Sequence, residues 1–234
     1  MNRVSLVCTV HEELGRANVV ALRAILERMQ SDVIFLEVPS EAFDDFYGNC
    51  SRYNLESMAV AQYREGRQVK LVPVDLPAPS PDFVSNLEEL RRRIRRVSHE
   101  YRRLMQWYED CLRDDGFAYL NSERCSELWS DVYKEIVSTI NWMNGDPRLV
   151  EIYESWKKTN DLREKAMMEN IQRYSRENTF DKGGFWLARR IGRRSSTYLK
   201  SSPEFDGTLL VTGISKAMHN KRSLRSRYSG ESCE

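Results

Sequence analysis

Two short apolar runs joined by one amphipathic helix constrain this chain more than any other feature. Arg3–Cys8 is largely apolar, and Val33-Ile34-Phe35-Leu36 is wholly so. Between them, Asn18–Met29 carries Val19, Leu22, Ile25 and Leu26 at helical spacing. A strand, a helix and a second strand in that order make a βαβ unit, whose strands are parallel and whose crossover is right-handed. Strands that are apolar along their whole length belong to a sheet covered on both faces.

The pattern continues in the same class. Ser40–Phe46 and Leu55–Glu65 read as helices, and Gln68–Val74 as a third strand that Pro73 weakens at its end. Pro77, Pro79 and Pro81 make a stiff linker. Asp82 then reads as the N-cap of a long helix to about Asp114, with Leu87, Leu90, Ile94, Val97, Tyr101, Leu104 and Tyr108 as its buried stripe. Further helices are expected over Ser122–Asn141 and from Pro147 to about Arg176. The fold class is therefore α/β, a βαβαβ parallel-sheet start with a large helical insertion. It divides into a sheet portion over 1–81, a helical block over 82–180 and a basic, poorly ordered tail over 181–234.

Composition narrows the setting. Hydrophobic residues are 41% and charged residues 30% of the 234, enough apolar matter for a sizeable core in a soluble protein. No apolar run reaches the roughly 18 residues of a membrane span. The N-terminus reads as a strand rather than a signal peptide. Cysteines 8, 50, 111, 125 and 233 lack CxxC spacing, which favours reduced thiols in a cytoplasm over a zinc cluster. Charge is uneven. Residues 183–234 hold ten basic and four acidic side chains, a net of +6, which leaves −5 for residues 1–182.

In a parallel sheet, ligands bind outside the carboxyl ends of the strands. His11, with Glu12 and Glu13, follows the first strand; Glu37 ends the second; Asp75 follows the third. If the strands are neighbours, these groups converge on one crevice. An imidazole with carboxylates there holds a divalent metal or works as an acid–base pair. Glu37 directly follows four apolar residues, so its charge starts at the edge of the core, where leaving it unpaired is costly. The plainer reading has Glu37 capping a helix or pairing with an arginine. Arg91–Arg96 forms a basic cluster beside Glu88, Glu89 and Glu100, and reads as a charge-laced solvent face rather than a nucleic-acid surface.

A family resemblance rests on three segments in order. Val7-Cys8-Thr9-Val10-His11 and Asp32-Val33-Ile34-Phe35-Leu36-Glu37-Val38 resemble the opening of TraB-type proteins, with a first strand ending Gly-Thr-x-His and a second ending Glu-Leu. Leu162–Ile171 resembles the Arg-Asp/Glu-x-x-Met-Ala-x-x-Ile helix that these proteins share with erythromycin esterases. The wider superfamily includes the Tiki proteases and the haem-binding ChaN proteins. The resemblance implies a metal-assisted or His/Glu-driven hydrolase acting on a small molecule or peptide. It places His11, Glu37, Arg163 and Glu164 as catalytic residues, Glu12 and Asp75 at the substrate, and a divalent metal on His11 and Glu37. Cys8 stands where the family has glycine.

The family pattern ends with a strand carrying Gly-Ala-x-His, whereas Phe180–Gly192 contains no histidine. A change of reading frame near Gly183 accounts for that departure, since degenerate codons for 184–194 permit Leu-Ala-Gly-Ala-Ala-His-Arg in another frame. Leu209–Ile214 is the one strand-like piece beyond it. Three functions follow: a hydrolase, weakened or inactive through loss of the last motif; a non-catalytic binding protein on the same scaffold; and a nucleic-acid module using Arg91–Arg96 and the tail.

Overall fold

The computed structural model describes residues 2–49, 51–188 and 210–211. Its elements are β1 (Arg3–Thr9), α1 (Val19–Met29), β2 (Val33–Leu36), α2 (Leu55–Arg64), β3 (Lys70–Pro73), α3 (Pro81–Val97), α4 (His99–Asp115), α5 (Phe117–Leu120), α6 (Glu123–Trp142), α7 (Pro147–Glu177), β4 (Lys182–Ala188) and β5 (Leu210–Val211). Between β2 and α2 the segment expected as a helix splits into a 3₁₀ turn, Ser40–Ala42, and a π turn, Asp44–Gly48. The α/β class stands. All pairings within the sheet are parallel, and the strand order is β3-β2-β4-β1-β5.

That order corrects two expectations. First, β1 and β2 are not neighbours, because β4 lies between them, with Val4 opposite Gly183 and Val33 opposite the same Gly183. Second, residues 182–188, placed by the sequence reading in a poorly ordered tail, are a strand at the centre of the sheet. A seven-residue strand thus runs through the point, Gly183, at which the chain was expected to leave family order. Of the expected strand Leu209–Ile214, residues 210–211 pair with β1. The rest of that segment and of the tail lies outside the described residues.

Each sheet face is covered. Leu6, Phe35, Phe185 and Leu187 pack with Met167, Met168 and Ile171 of α7. Val7, Ile34, Leu36 and Trp186 belong to the larger core built with α1, α2 and the helical block. The alternation along each strand follows from the period of two. Gly183 shows why β4 looked unlike a strand. A β-carbon there would lie 2.9 Å from the Phe180 ring and 3.1 Å from that of Phe35, so the crowded face leaves room for a bare backbone only.

Local chemistry sets the helix ends. Asn18 accepts from the Ala21 N–H, and Gln30 closes α1 in the left-handed region. Asn54 and Ser57 form a reciprocal capping box on α2. Ser80, not Asp82, caps α3, with Pro81 in the first helical position. The single helix expected from 82 to 114 breaks at Ser98, whose extended backbone ends α3. Its hydroxyl accepts from the Tyr101 N–H at 2.8 Å and donates to Glu135 at 2.6 Å. Both groups are thereby satisfied in the interior, which outweighs continuing one helix. Val97, expected in the stripe, is exposed at this break.

Gly183→Val forces a branched side chain against Phe180 and Phe35. It is expected to lower the unfolding free energy by about 1–3 kcal/mol or more, read from the urea midpoint at unchanged slope.

Candidate functional site

Because every strand is parallel, all strand carboxyl ends lie along one edge. Beyond β1 the chain carries His11 against the start of α2, where the Leu55 N–H donates to the His11 carbonyl at 2.9 Å. This sets the imidazole over Glu56. The His11 Nδ1 lies 3.2 Å and 3.3 Å from the two Glu56 carboxylate oxygens. Thr9, the last residue of β1, donates its hydroxyl to the same carboxylate at 2.9 Å. The Glu56 side chain is 6% exposed and that of His11 57%. A buried, hydrogen-bonded carboxylate therefore orients an imidazole that stays more than half exposed.

A second cluster forms beyond β2 and β3. After β3 the chain keeps tracking β2, as the Val74 N–H donates to Leu36 and the Asp75 N–H to Val38. Asp75 is thus brought beside Glu37. Arg163, from the middle of α7, donates to Glu37 at 3.0 Å and to both oxygens of Asp75, with its Nε at 3.2 Å from one of them. Glu37 is 7% exposed, Asp75 3% and Arg163 18%. On the same α7 face, Asn170 donates to the Val74 carbonyl at 2.8 Å. The plainer reading of Glu37, a pairing with arginine, is the geometry found. One guanidinium here faces two carboxylates. Its charge is already matched, and the carboxylates' hydrogen bonds and fields hold it firmly protonated against the cost of burial.

Tyr47, in the π turn, lies within electrostatic reach of both clusters. Burial raises its phenol pKa far above the ordinary 10.0, and the charges of Glu56 and then Glu37 raise it further. The phenol is therefore neutral, and the fields of both carboxylates reach it. Burial also raises the Tyr119 phenol, in α5.

The expected residues thus separate. His11 takes Glu56 as partner and Glu37 takes Arg163, on strands two places and about 9.5 Å apart. Asp75 joins Glu37 as expected. Glu164 is buried on α7 but turned about 100° from Arg163 around the helix. Glu12 is exposed on the loop and belongs to neither cluster, while Glu13 accepts from the Val19 N–H at the start of α1. Cys8 sits in regular strand with no positive φ, so the glycine that the family has there is not needed for its backbone. Its N–H and carbonyl are held by the Asn121 side chain at 2.8 Å and 3.1 Å.

A divalent metal on His11 and Glu37 does not fit this donor set. Glu37 already faces a guanidinium, which repels a second cation, and His11 spends its near nitrogen on Glu56. Among the described residues, no group of three or more His, Cys, Asp or Glu side chains is placed to hold a metal ion. Sequence reasoning missed Glu56, Thr9 and Tyr47. Glu56 carried a signal: it lies three, four and seven residues before the buried Ala59, Val60 and Tyr63, so it is a carboxylate on an apolar stripe. Among the described residues, no helix is long and apolar enough to cross a membrane. No protein family, curated protein or solved structure matches the chain.

Arg163→Leu leaves two buried carboxylates without a counter-charge. It is expected to lower the unfolding free energy by about 3–5 kcal/mol, and adding Glu37→Gln with Asp75→Asn is expected to restore part of that in denaturant titrations. The raised phenols of Tyr47 and Tyr119 hold their protons when folded and release them at ordinary values when unfolded. Their contribution is complete below about pH 10 and shrinks as pH rises above it. Absorbance at alkaline pH is expected to show a tyrosine class that ionises only with unfolding, and both Tyr→Phe variants are expected to remove it.

Proposed function

We propose that this chain is a hydrolase of the TraB and erythromycin-esterase-like type, acting on an ester or amide of a small molecule or peptide, with His11 as general base. One observation carries the reading: the His11 ring, more than half exposed, is held by a buried carboxylate that Thr9 also anchors. A carboxylate in that position orients the imidazole and stabilises its protonated form. The outer nitrogen takes a proton from water as the oxygen attacks the acyl carbon. The same proton passes to the leaving oxygen or nitrogen as the acyl bond breaks. Glu56 is the positioning residue. Arg163 serves as a brace between α7 and the strand ends.

A second reading, a non-catalytic binding protein on this scaffold, is favoured by the end of β4. There the sequence reads Leu187-Ala188, where the family pattern has a histidine.

A panel of nitrophenyl esters, lactones and peptide amides tests both. With a substrate found, His11→Ala is expected to lower kcat by about 10²–10⁴-fold, and Glu56→Gln by less, with folding unchanged by circular dichroism. Full activity in His11→Ala sinks the hydrolase reading. A compound that binds without turnover, and equally well in His11→Ala, supports the second.

A further inference from the structure

The basic cluster of α3 divides in the structure. Arg93 turns to Asp146 at 2.8 Å and Glu89 at 3.4 Å. Arg91, Arg92 and Arg95 instead border a groove of about 370 Å³ between α3, α4, α6 and α7. With Glu88 they follow the i, i+3, i+4, i+7 spacing, so they form one stripe of the helix. Facing that stripe are Met105 of α4, Trp129 and Ile136 of α6, and Trp156 of α7. Three arginines against Glu88 and Glu109 leave the lining at +1. Arg92 and Arg95 make no ion pair with a carboxylate among the described residues.

We propose that this groove binds a small amphipathic anion, its apolar body against Trp129, Ile136 and Trp156 and its carboxylate or phosphate head at Arg92 and Arg95. The volume falls within the range of small-molecule sites, about 300–1,000 Å³. Apolar walls with a few convergent polar groups at one rim select a ligand with one charged end. Apolar side chains opposite a stripe of arginines suit an apolar stem that ends in an anion, since a guanidinium forks to two oxygens. A polynucleotide needs a track of cations along its phosphates, and this lining has a single surplus charge. The groove shares no residue with the His11 and Arg163 clusters, so its occupancy stands apart from hydrolysis.

The full chain is titrated with decanoate, decyl phosphate and decanol, followed by tryptophan fluorescence and calorimetry. One or both anions are expected to saturate a single site at least about ten-fold more tightly than decanol, and comparing the two identifies the head group. Arg92 and Arg95 are exposed, so R92A/R95A is expected to stay folded and to lose that preference while its decanol binding is unchanged. Ile136→Trp, which fills the groove, is expected to abolish binding of all three. The proposal is overturned if decanol binds as tightly as the anions, if R92A/R95A binds the anions unchanged, or if none saturates at millimolar concentration. It is also overturned if a single-stranded oligonucleotide binds the same arginines more tightly than either anion.

Discussion

The insertion of β4 between β1 and β2 is the constraint on which the molecule rests. The first two strands of the chain never touch, and the strand that joins them arrives only after the whole helical block. Joining β1 to β2 and β3 orders a very long loop before β4 gains its pairings. What offsets that cost is burial on both faces. Phe185 and Leu187 seat against α7, and Trp186 against the opposite core. Gly183 admits the strand where Phe35 and Phe180 leave no room for a side chain. The same insertion spreads the strand ends, so that the groups beyond β1 and β2 face different partners.

Electrostatics then decides what each strand end does. A carboxylate buried to within a few per cent needs hydrogen bonds or an opposite charge, because desolvation of the bare ion exceeds anything packing returns. Glu37 and Asp75 meet that need with one guanidinium, and Glu56 with a hydroxyl and an imidazole. The first solution neutralises its arginine and makes a brace from α7 to the sheet. The second leaves the imidazole more than half exposed. The imidazole at this edge is therefore paired with Glu56 rather than with Glu37.

The helical block follows a different logic. Its long elements are punctuated by single residues that satisfy backbone groups: Ser80, Ser98 and Ser122 each accept from an N–H in the first turn that follows. At Gly116, where φ is +56°, the chain turns against the backbone of Arg16, which ties α5 to the loop beyond β1. The turn at Ser98 reorients α4 relative to α3 and opens the arginine-rimmed groove between them. A continuous helix over the same residues would have presented those arginines along a straight solvent face.

Some of this is written in the chain order alone. Apolar runs and helical spacing are local properties, so the class, the parallel start, the helical block and the strand-end positions of His11, Glu37 and Asp75 were all legible. Pairing between distant segments was not. The centre of the sheet is occupied by Gly183-Gly184-Phe185-Trp186, which lacks a strand's usual composition because its surroundings, not its propensity, demand glycine. Glu56 was hidden for a related reason. A charge on an apolar stripe signals burial but does not name the imidazole that meets it. The chain by itself determined which side chains reach the carboxyl edge of a parallel sheet, since strand periodicity and direction carry that information. Only the tertiary structure decided which of them share a partner, because strand order sets the distances over which charges pair.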